Sequence, residues 1–330
     1  MRAFPLLILA AAPILFSNCQ QTFEPKGVYT PMLVVDGILD ERQQDLIVRV
    51  SHTYNPPGYD PTEYRVGLSI PGARVTLDGG SLGSWALAET TLSVSDIHGN
   101  TSMSAYVLRN ADLEGMRRYT LTVEAAGYQS VSASTVMPKI GGIGIEAALS
   151  EDSTLVNTGY IIYYTPQRDP STKGVLARLW IRYLAPDPDH AEVTTPDSLE
   201  VPSSTQVISG INTPVYPRLD RVGADAVQRA SFTLDAAQYA LEKLKGSRPN
   251  PGSIQVKGLA FHLILLDRPA YDYYLITHGF NDPLSVRTDQ PDYSNVQGGL
   301  GFFGAVAAGD VAIRLPHSLV LRYKLTDAQL

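Results

Sequence analysis

One short pattern in this chain has the residue types and spacing of a nucleophilic serine site. Residues 79–83 read Gly-Gly-Ser-Leu-Gly, which fits the G-x-S-x-G pattern, where a strained turn presents a serine hydroxyl to an acyl group. Such a turn needs a strand before it and a helix after it. A strand is predicted at 73–77, but residues 84–88 (SWALA) are a weak helix former. We therefore interpret Ser81 as part of a hairpin turn and predict no catalytic residue.

The residue types that bind metals are scattered along the chain. None of the six histidines forms an H-E-x-x-H pattern or an i, i+4 pair, so no zinc site is predicted. Residues 187–190 (DPDH) combine two carboxylates and an imidazole. We interpret them as a solvated loop, with a loose site for a hard cation as the alternative. His262 lies in an apolar stretch and is interpreted as a core or edge histidine. The sequence thus predicts neither a metal nor another cofactor.

Residues 292–305 (DYSNVQGGLGFFGA), here named the glycine-aromatic segment, mix glycines with large apolar side chains. Glycine permits positive φ and close backbone approach, and aromatic rings bury a large area. The glycine order lacks the dinucleotide spacing, and no Lys-Ser or Lys-Thr pair follows, so a phosphate loop is disfavoured. We predict instead a structural clasp, a tight turn held against packed surface. Its residues are Asn295, Gly298, Gly299, Gly301, Phe302, Phe303 and Gly304.

The two phenylalanines of this segment should face different surroundings. Phe302 and Phe303 are adjacent, so in an extended chain they point to opposite faces. We expect one ring to pack against a strand around 261–266. The other is expected to cap a helix near Tyr271 or Tyr274.

Residues 32–138 show the strand pattern of a β-sandwich. Residues 45–52 (DLIVRVSH) and 119–124 (YTLTVE) alternate apolar and polar side chains, and turn signals stand at 78–80 and 126–128. Short strands with closely spaced turns are typical of sandwiches. The pattern GARVTLDGG…YTLTVEAAGYQSVSAS also resembles the carboxypeptidase-regulatory and Ig- or fibronectin-like sandwiches of exported proteins.

A glycine-rich stretch at 139–144 (KIGGIG) predicts a domain boundary after Pro138. The second domain, residues 139–330, is predicted to be rich in β-strands. Its central strand should span 258–266 (GLAFHLILL), which is apolar almost throughout and therefore buried on both faces. The sequence as a whole predicts a mainly β protein.

One or two short helices interrupt this second domain. The first is predicted at 235–245 with Asp235 as its cap, and the second begins after Asp267, which can cap it. Residues 185–202 contain several prolines and acidic residues, so an exposed loop is predicted there. Residues 318–325 (SLVLRYKL) are predicted to form the last strand.

Composition limits the kinds of partner. Of the 330 residues, 44% are hydrophobic and 18% are charged, which argues against disorder. The net charge is −7 and no basic run offsets it, so a nucleic-acid partner is not expected.

The single cysteine, Cys19, follows a sequence typical of an export signal. Residues 1–18 combine Met1-Arg2 with an apolar core and a small residue near the end, which predicts a signal peptide. The apolar core is too short to remain as a membrane-spanning helix. We predict that Cys19 is lipidated and that residues 19–31 form a tether to the first domain. A conventional signal followed by a passenger cysteine is the alternative.

The stretch YSNVQGGLGFFGA, preceded by FHLILLDRPAYDYYLITHGF, resembles domain-of-unknown-function family 4249, lipoproteins typical of Bacteroidetes outer membranes. The resemblance implies a lipid-anchored outer-membrane protein at the cell surface, with the periplasmic face as the alternative. It also implies an accessory or binding component beside a TonB-dependent transporter. Because no catalytic set stands out, we predict a non-enzymatic function. A structural or adhesive envelope protein is the alternative, followed by a glycan or peptide hydrolase.

Overall fold

The strands of the N-terminal part follow the alternation in the sequence. The computed structural model describes residues 29–43, 45–55, 68–96, 99–149, 159–167, 171–187, 193–278 and 293–329. In strand β7, the side chains of Tyr119, Leu121 and Val123 are buried and those between them are half-buried. The first strands are β1 Leu33–Asp40, β2 Leu46–His52, β3 Arg74–Asp78, β4 Ser84–Ala86, β5 Ala88–Asp96, β6 Gly99–Leu108, β7 Arg118–Glu124 and β8 Val131–Val136.

The C-terminal part adds more strands and three helices within the described residues. The helices are α1 Leu234–Lys245, α2 Arg268–His278 and α3 His317–Arg322. The strands are β9 Ile140–Ala147, β10 Gly159–Pro166, β11 Thr172–Pro186, β12 Thr194–Val201, β13 Ser204–Ile208, β14 Ile211–Val215, β15 Asp220–Arg221, β16 Gln228–Thr233, β17 Gln255–Asp267, β18 Leu300–Ile313 and β19 Thr326–Asp327.

One large sheet runs through both parts of the chain, in the order β12-β11-β17-β18-β1-β2-β6-β5. The sheet β4-β3-β7-β8 packs against its β1 side and encloses one apolar core. The sheet β16-β10-β9 and helix α1 pack against its β17 side and enclose a second core. The predicted fold class, mainly β with a sandwich and short helices, is confirmed.

Strand β18 joins the two cores, so the domain boundary predicted after Pro138 needs correction. Its first half runs parallel to β1, with Phe303 opposite Gly37. Its second half runs antiparallel to β17, with Val311 opposite Phe261. Residues 31–330 consequently form one compact unit. Residues 32–138 alone would lack the strand beside β1, because that strand comes from the end of the chain.

Three local predictions also need correction. The predicted last strand at 318–325 is instead helix α3, where the neighbours Leu319 and Val320 are both buried. A strand would place them on opposite faces. The residue before α1 is Thr233, so Asp235 lies inside the first turn and is not the cap. The predicted loop at 185–202 contains β12, which pairs with the long strand β11.

Candidate functional site

The glycine-aromatic segment leads into β18 and is tied to neighbouring strands by hydrogen bonds. Asn295 closes the turn: its side-chain Nδ2 donates to the carbonyl of Phe303 at 2.7 Å, and its Oδ1 accepts from the Phe303 amide at 2.9 Å. Gln297 exchanges two backbone hydrogen bonds with Ser132 of β8, at 2.7 and 3.1 Å. The segment therefore lies beside the start of β8 and leads into the start of β18.

The two phenylalanines point to opposite sides of β18, and both are buried. Phe302 packs with Leu266 and with the start of α2, and its ring stacks on Tyr273 at a centroid distance of 4.4 Å. Phe303 lies in the N-terminal core. One ring was expected against 261–266 and the other near Tyr271 or Tyr274. Phe302 meets both expectations, because it packs with Leu266 and Tyr271. Phe303 meets neither, because β1, not β17, is the neighbour of this half of β18.

Three glycines of the segment leave no room for a side chain, because other backbone lies against two of them and an aromatic ring lies against the third. Gly301 has φ of +110°, and a Cβ there would overlap the carbonyl oxygen of Val35. A Cβ on Gly299 would lie 2.6 Å from the carbonyl oxygen of Leu33. A Cβ on Gly304 would lie 2.5 Å from the ring of Phe302 and 3.1 Å from the amide nitrogen of Ala270 in α2. The backbone that a phosphate would have to approach at these glycines is thus covered by β1 and α2.

Gly298 lies in the turn before these three glycines. It is exposed and has a φ of +78°. Such a value is in the left-handed region that favours glycine.

A buried carboxylate lies beside this segment. Asp267 is fully buried at the junction of β17 and α2, and its Oδ1 accepts from the amide of Ala270 at 2.8 Å. Its other oxygen accepts from the hydroxyl of Thr135 in β8. The amide of Ala305 also donates to the carboxylate. Burial outweighs these hydrogen bonds and raises the pKa of Asp267 to about 6. Asp267 caps α2, as predicted, and it also links strands from both parts of the chain.

The other residues singled out by sequence fall into separate places. Ser81 is exposed in a 3₁₀ turn, Gly80–Leu82, and the paired strands β3 and β4 flank that turn. A nitrogen of His262 contacts the carboxylate of Asp310, which also pairs with Arg42 at 3.2 Å. Within the described ranges, no group of three or more His, Cys, Asp or Glu is arranged to hold a metal. Cys19 and residues 188–190 lie outside those ranges.

A hairpin that was not predicted from the sequence is the most exposed apolar feature of the described chain. Strands β13 and β14 pair only with each other. Ser209 and Gly210, with φ of 52° and 79°, form the two-residue turn between them. At its tip the exposed fractions are 76% for Val207, 54% for Ile208 and 69% for Ile211. The Ser-Gly pair between β-branched residues was the signal that could have predicted it.

The hairpin, here residues 204–215, is anchored at its base. The amide of Thr233 donates to the carbonyl of Ser203 at 3.0 Å, and the amide of Ser203 donates to Val215 at 2.8 Å. The hydroxyl of Thr205 donates to the carboxylate of Asp235 in α1. These bonds fix the base to β16 and α1 and leave the apolar tip free of the core.

An open groove of about 500 Å³ lies at this base. Residues of strand β16 and of the stretch 217–225 line it. Val175 and Ala177 of β11 contribute apolar surface, whereas Arg218 and Asp220 contribute charge. Tyr164, which also lines the groove, donates to the side chain of Gln228 at 3.1 Å, and burial raises the pKa of Tyr164 to about 12. The groove and the hairpin together form the candidate binding surface.

Among the helices of the described ranges, none has the length and apolar content needed to cross a bilayer. A family model described as "Domain of unknown function (DUF4249)" matches residues 20–310. No curated protein matches the chain. Among solved structures, the crystal structure of CBD12 from CALX1.2 is similar at 9% identity, over 65% of this chain and 88% of that one. Its TM-score of 0.16 is too low to support an argument.

Proposed function

We propose that this chain, which belongs to the DUF4249 family, is a non-enzymatic lipoprotein of the outer membrane that binds a partner. The partner proposed is a TonB-dependent transporter, for which the chain is an accessory component. The proposal extends the family resemblance from location to activity, and the exposed hairpin is the observation that supports it.

The hairpin has the chemistry of a contact surface. Three aliphatic side chains at its tip, Val207, Ile208 and Ile211, are each more than half exposed. No charged residue occurs from Ser203 to Pro217. Clustered exposed apolar side chains are typical of sites that bind another protein or a membrane. Because the tip contributes nothing to either core, its apolar character is better explained by a partner than by folding.

A pull-down from the native outer membrane tests this function. The tagged chain is compared with a double variant, Ile208→Ser with Ile211→Ser, and with Leu321→Ser. Leu321 lies on α3 and is also about half exposed, so it controls for removal of surface apolar area. We expect the wild-type chain and Leu321→Ser to recover a transporter and the hairpin variant to recover about tenfold less.

Two results would contradict the proposal. Equal recovery of the transporter by the hairpin variant would exclude the hairpin as the contact. The absence of any stable partner would favour the structural or adhesive alternative.

The anchor is proposed to be the lipidated Cys19, because it follows an apolar segment of signal-peptide type. Changing Cys19→Ala should release the protein from outer-membrane fractions or leave it as a precursor. Unchanged membrane partitioning with normal processing would contradict this anchor. A protease added to intact cells should digest the chain if it faces the cell surface, and should spare it if it faces the periplasm.

A further inference from the structure

Strand β16 has a free edge along the groove. It pairs with β10 on one side, and no other described strand pairs with it. The amide of Thr233, its last residue, donates away from β10, to the carbonyl of Ser203. Backbone groups alternate along an antiparallel strand, so Ser231 and Arg229 also direct their amide and carbonyl groups away from β10. Both residues are exposed and both line the groove.

The side chains leave this edge accessible. The Arg229 guanidinium pairs with Glu146 of β9 at 2.6 Å, across the face of the small sheet. Its side chain is therefore held over that sheet, while its backbone remains at the edge. Ser231 carries only a hydroxymethyl group, which cannot cover the neighbouring backbone.

The rest of the groove combines apolar surface with charges of both signs. Val175 and Ala177 offer apolar contact. No ion pair to Arg218, Asp220 or Asp225 is found in the described part of the chain, and all three line the groove. A volume of about 500 Å³ lies within the range of about 300–1,000 Å³ common for ligand sites. A row of backbone donors and acceptors beside such a surface matches an extended peptide.

We infer that the outer edge of β16 binds an extended segment of a partner polypeptide as an added strand, through the backbone of Arg229 and Ser231. Main-chain hydrogen bonds supply affinity in this mode, and alternate side chains of the peptide enter the groove. This inference rests on the proposed partner-binding function and names the part of the partner that is recognised. It concerns the edge of β16, whereas the proposed function is tested at the hairpin tip.

The full-length protein, purified in detergent, is tested against a library of synthetic peptides of about eight residues, a common strand length. In each peptide, apolar residues alternate with charged residues of either sign. We expect a subset to bind. The best binder is then prepared with N-methyl groups on its odd-numbered residues only, or on its even-numbered residues only. An added strand directs only one of these sets towards β16, so one methylated peptide should bind at least about tenfold more weakly and the other should be unaffected.

Variants of the protein supply the matching test. Ser231→Pro removes an outward amide that is not bonded to β10, and proline is tolerated at such edge positions. We expect Ser231→Pro to weaken peptide binding about tenfold and Ser231→Ala to leave it unchanged. If Ser231→Pro fails to fold, the pair of methylated peptides decides alone.

Three outcomes would overturn the inference: no peptide binds, both methylated peptides bind equally, or a folded Ser231→Pro variant binds like the wild type. Peptide binding without a recovered transporter would remove the proposed function and leave the strand-addition site. A recovered transporter without peptide binding would remove the strand-addition site and leave the proposed function.

Discussion

The glycine-aromatic segment and the hairpin are both rich in apolar residues around a turn, yet their surroundings are opposite. In the segment, Phe302 and Phe303 are buried on two sides of β18. In the hairpin, Val207 and Ile211 are mostly exposed to solvent. The segment contacts both parts of the chain, whereas the hairpin is attached only at its base.

This difference shows what an apolar turn can be used for. Where the turn is buried, substitutions should act through the free energy of unfolding. Where it is exposed, substitutions should act through binding and leave folding unchanged.

The largest effect is expected for Phe303→Ala. Phe303 is fully buried, and truncation of a buried phenylalanine typically costs about 3–5 kcal/mol. Leu300→Ala is the matched control, because Leu300 is in the same segment but 37% exposed. Urea unfolding of both variants gives their losses of unfolding free energy. The loss for Phe303→Ala should be several-fold larger than the loss for Leu300→Ala.

A second substitution in the glycine-aromatic segment tests whether the segment acts through folding or through binding. Gly299→Val should also lower stability, because its Cβ meets the carbonyl of Leu33. If Phe303→Ala and Gly299→Val both leave the melting temperature unchanged and abolish partner binding, the segment is the functional site and not a clasp.

A second prediction concerns Asp267 and pH. Its pKa is raised from 3.8 to about 6 in the folded protein, so the folded state holds this proton more tightly than the unfolded state. The resulting stabilisation is complete below pH 3.8 and is lost as the pH rises through about 6. The loss amounts to about 3 kcal/mol. Urea unfolding across this range should show a falling free energy of unfolding in the wild-type protein.

Asp267→Asn should remove that part of the pH dependence, because it replaces the titrating group. Asp225→Asn serves as a control for the loss of an exposed carboxylate. If the pH dependence of Asp267→Asn equals that of the wild type, burial of this carboxylate does not contribute to it.

A smaller loss is expected for Asn295→Ala. This change removes two hydrogen bonds to the backbone of Phe303 and leaves that buried amide and carbonyl without them. The expected loss is about 2 kcal/mol of unfolding free energy. Gln297→Ala is the control, since Gln297 is exposed and holds Ser132 through backbone hydrogen bonds that the substitution keeps. Equal stability of the two variants would show that the Asn295 side chain does not hold the turn.

The local sequence pattern was sufficient to predict much of the fold but little of the candidate binding surface. The alternation of Tyr119, Leu121 and Val123 predicted β7, and Asp267 was predicted as a helix cap. The parallel pairing of β1 with β18 was not predictable, because it joins residues far apart in sequence and no local signal specifies the partner. The hydrogen bond from Thr135 to Asp267 likewise joins residues 132 positions apart in the sequence.

The groove could not have been predicted from any one stretch. Its lining comes from β10, β11, the 217–225 stretch and β16, which only the packed sheets bring together. The hairpin, by contrast, is local. The run TQVISGINTPV has β-branched residues around Ser209-Gly210, which is the local signal of a hairpin. The least predictable property was that these apolar side chains stay outside both cores.

The smallest effect on stability is expected for the hairpin, and it completes the comparison. In the double variant Ile208→Ser with Ile211→Ser, neither side chain leaves a core, so the free energy of unfolding should stay within about 0.5 kcal/mol of the wild type. The variant should elute earlier than the wild type from a hydrophobic-interaction column, because exposed apolar area is removed. Both measurements are made without a partner, so they test the exposure of the hairpin separately from its function. A loss of stability as large as that of Asn295→Ala would mean that the tip packs against the protein in solution. The hairpin would then belong with the glycine-aromatic segment as a part of the fold.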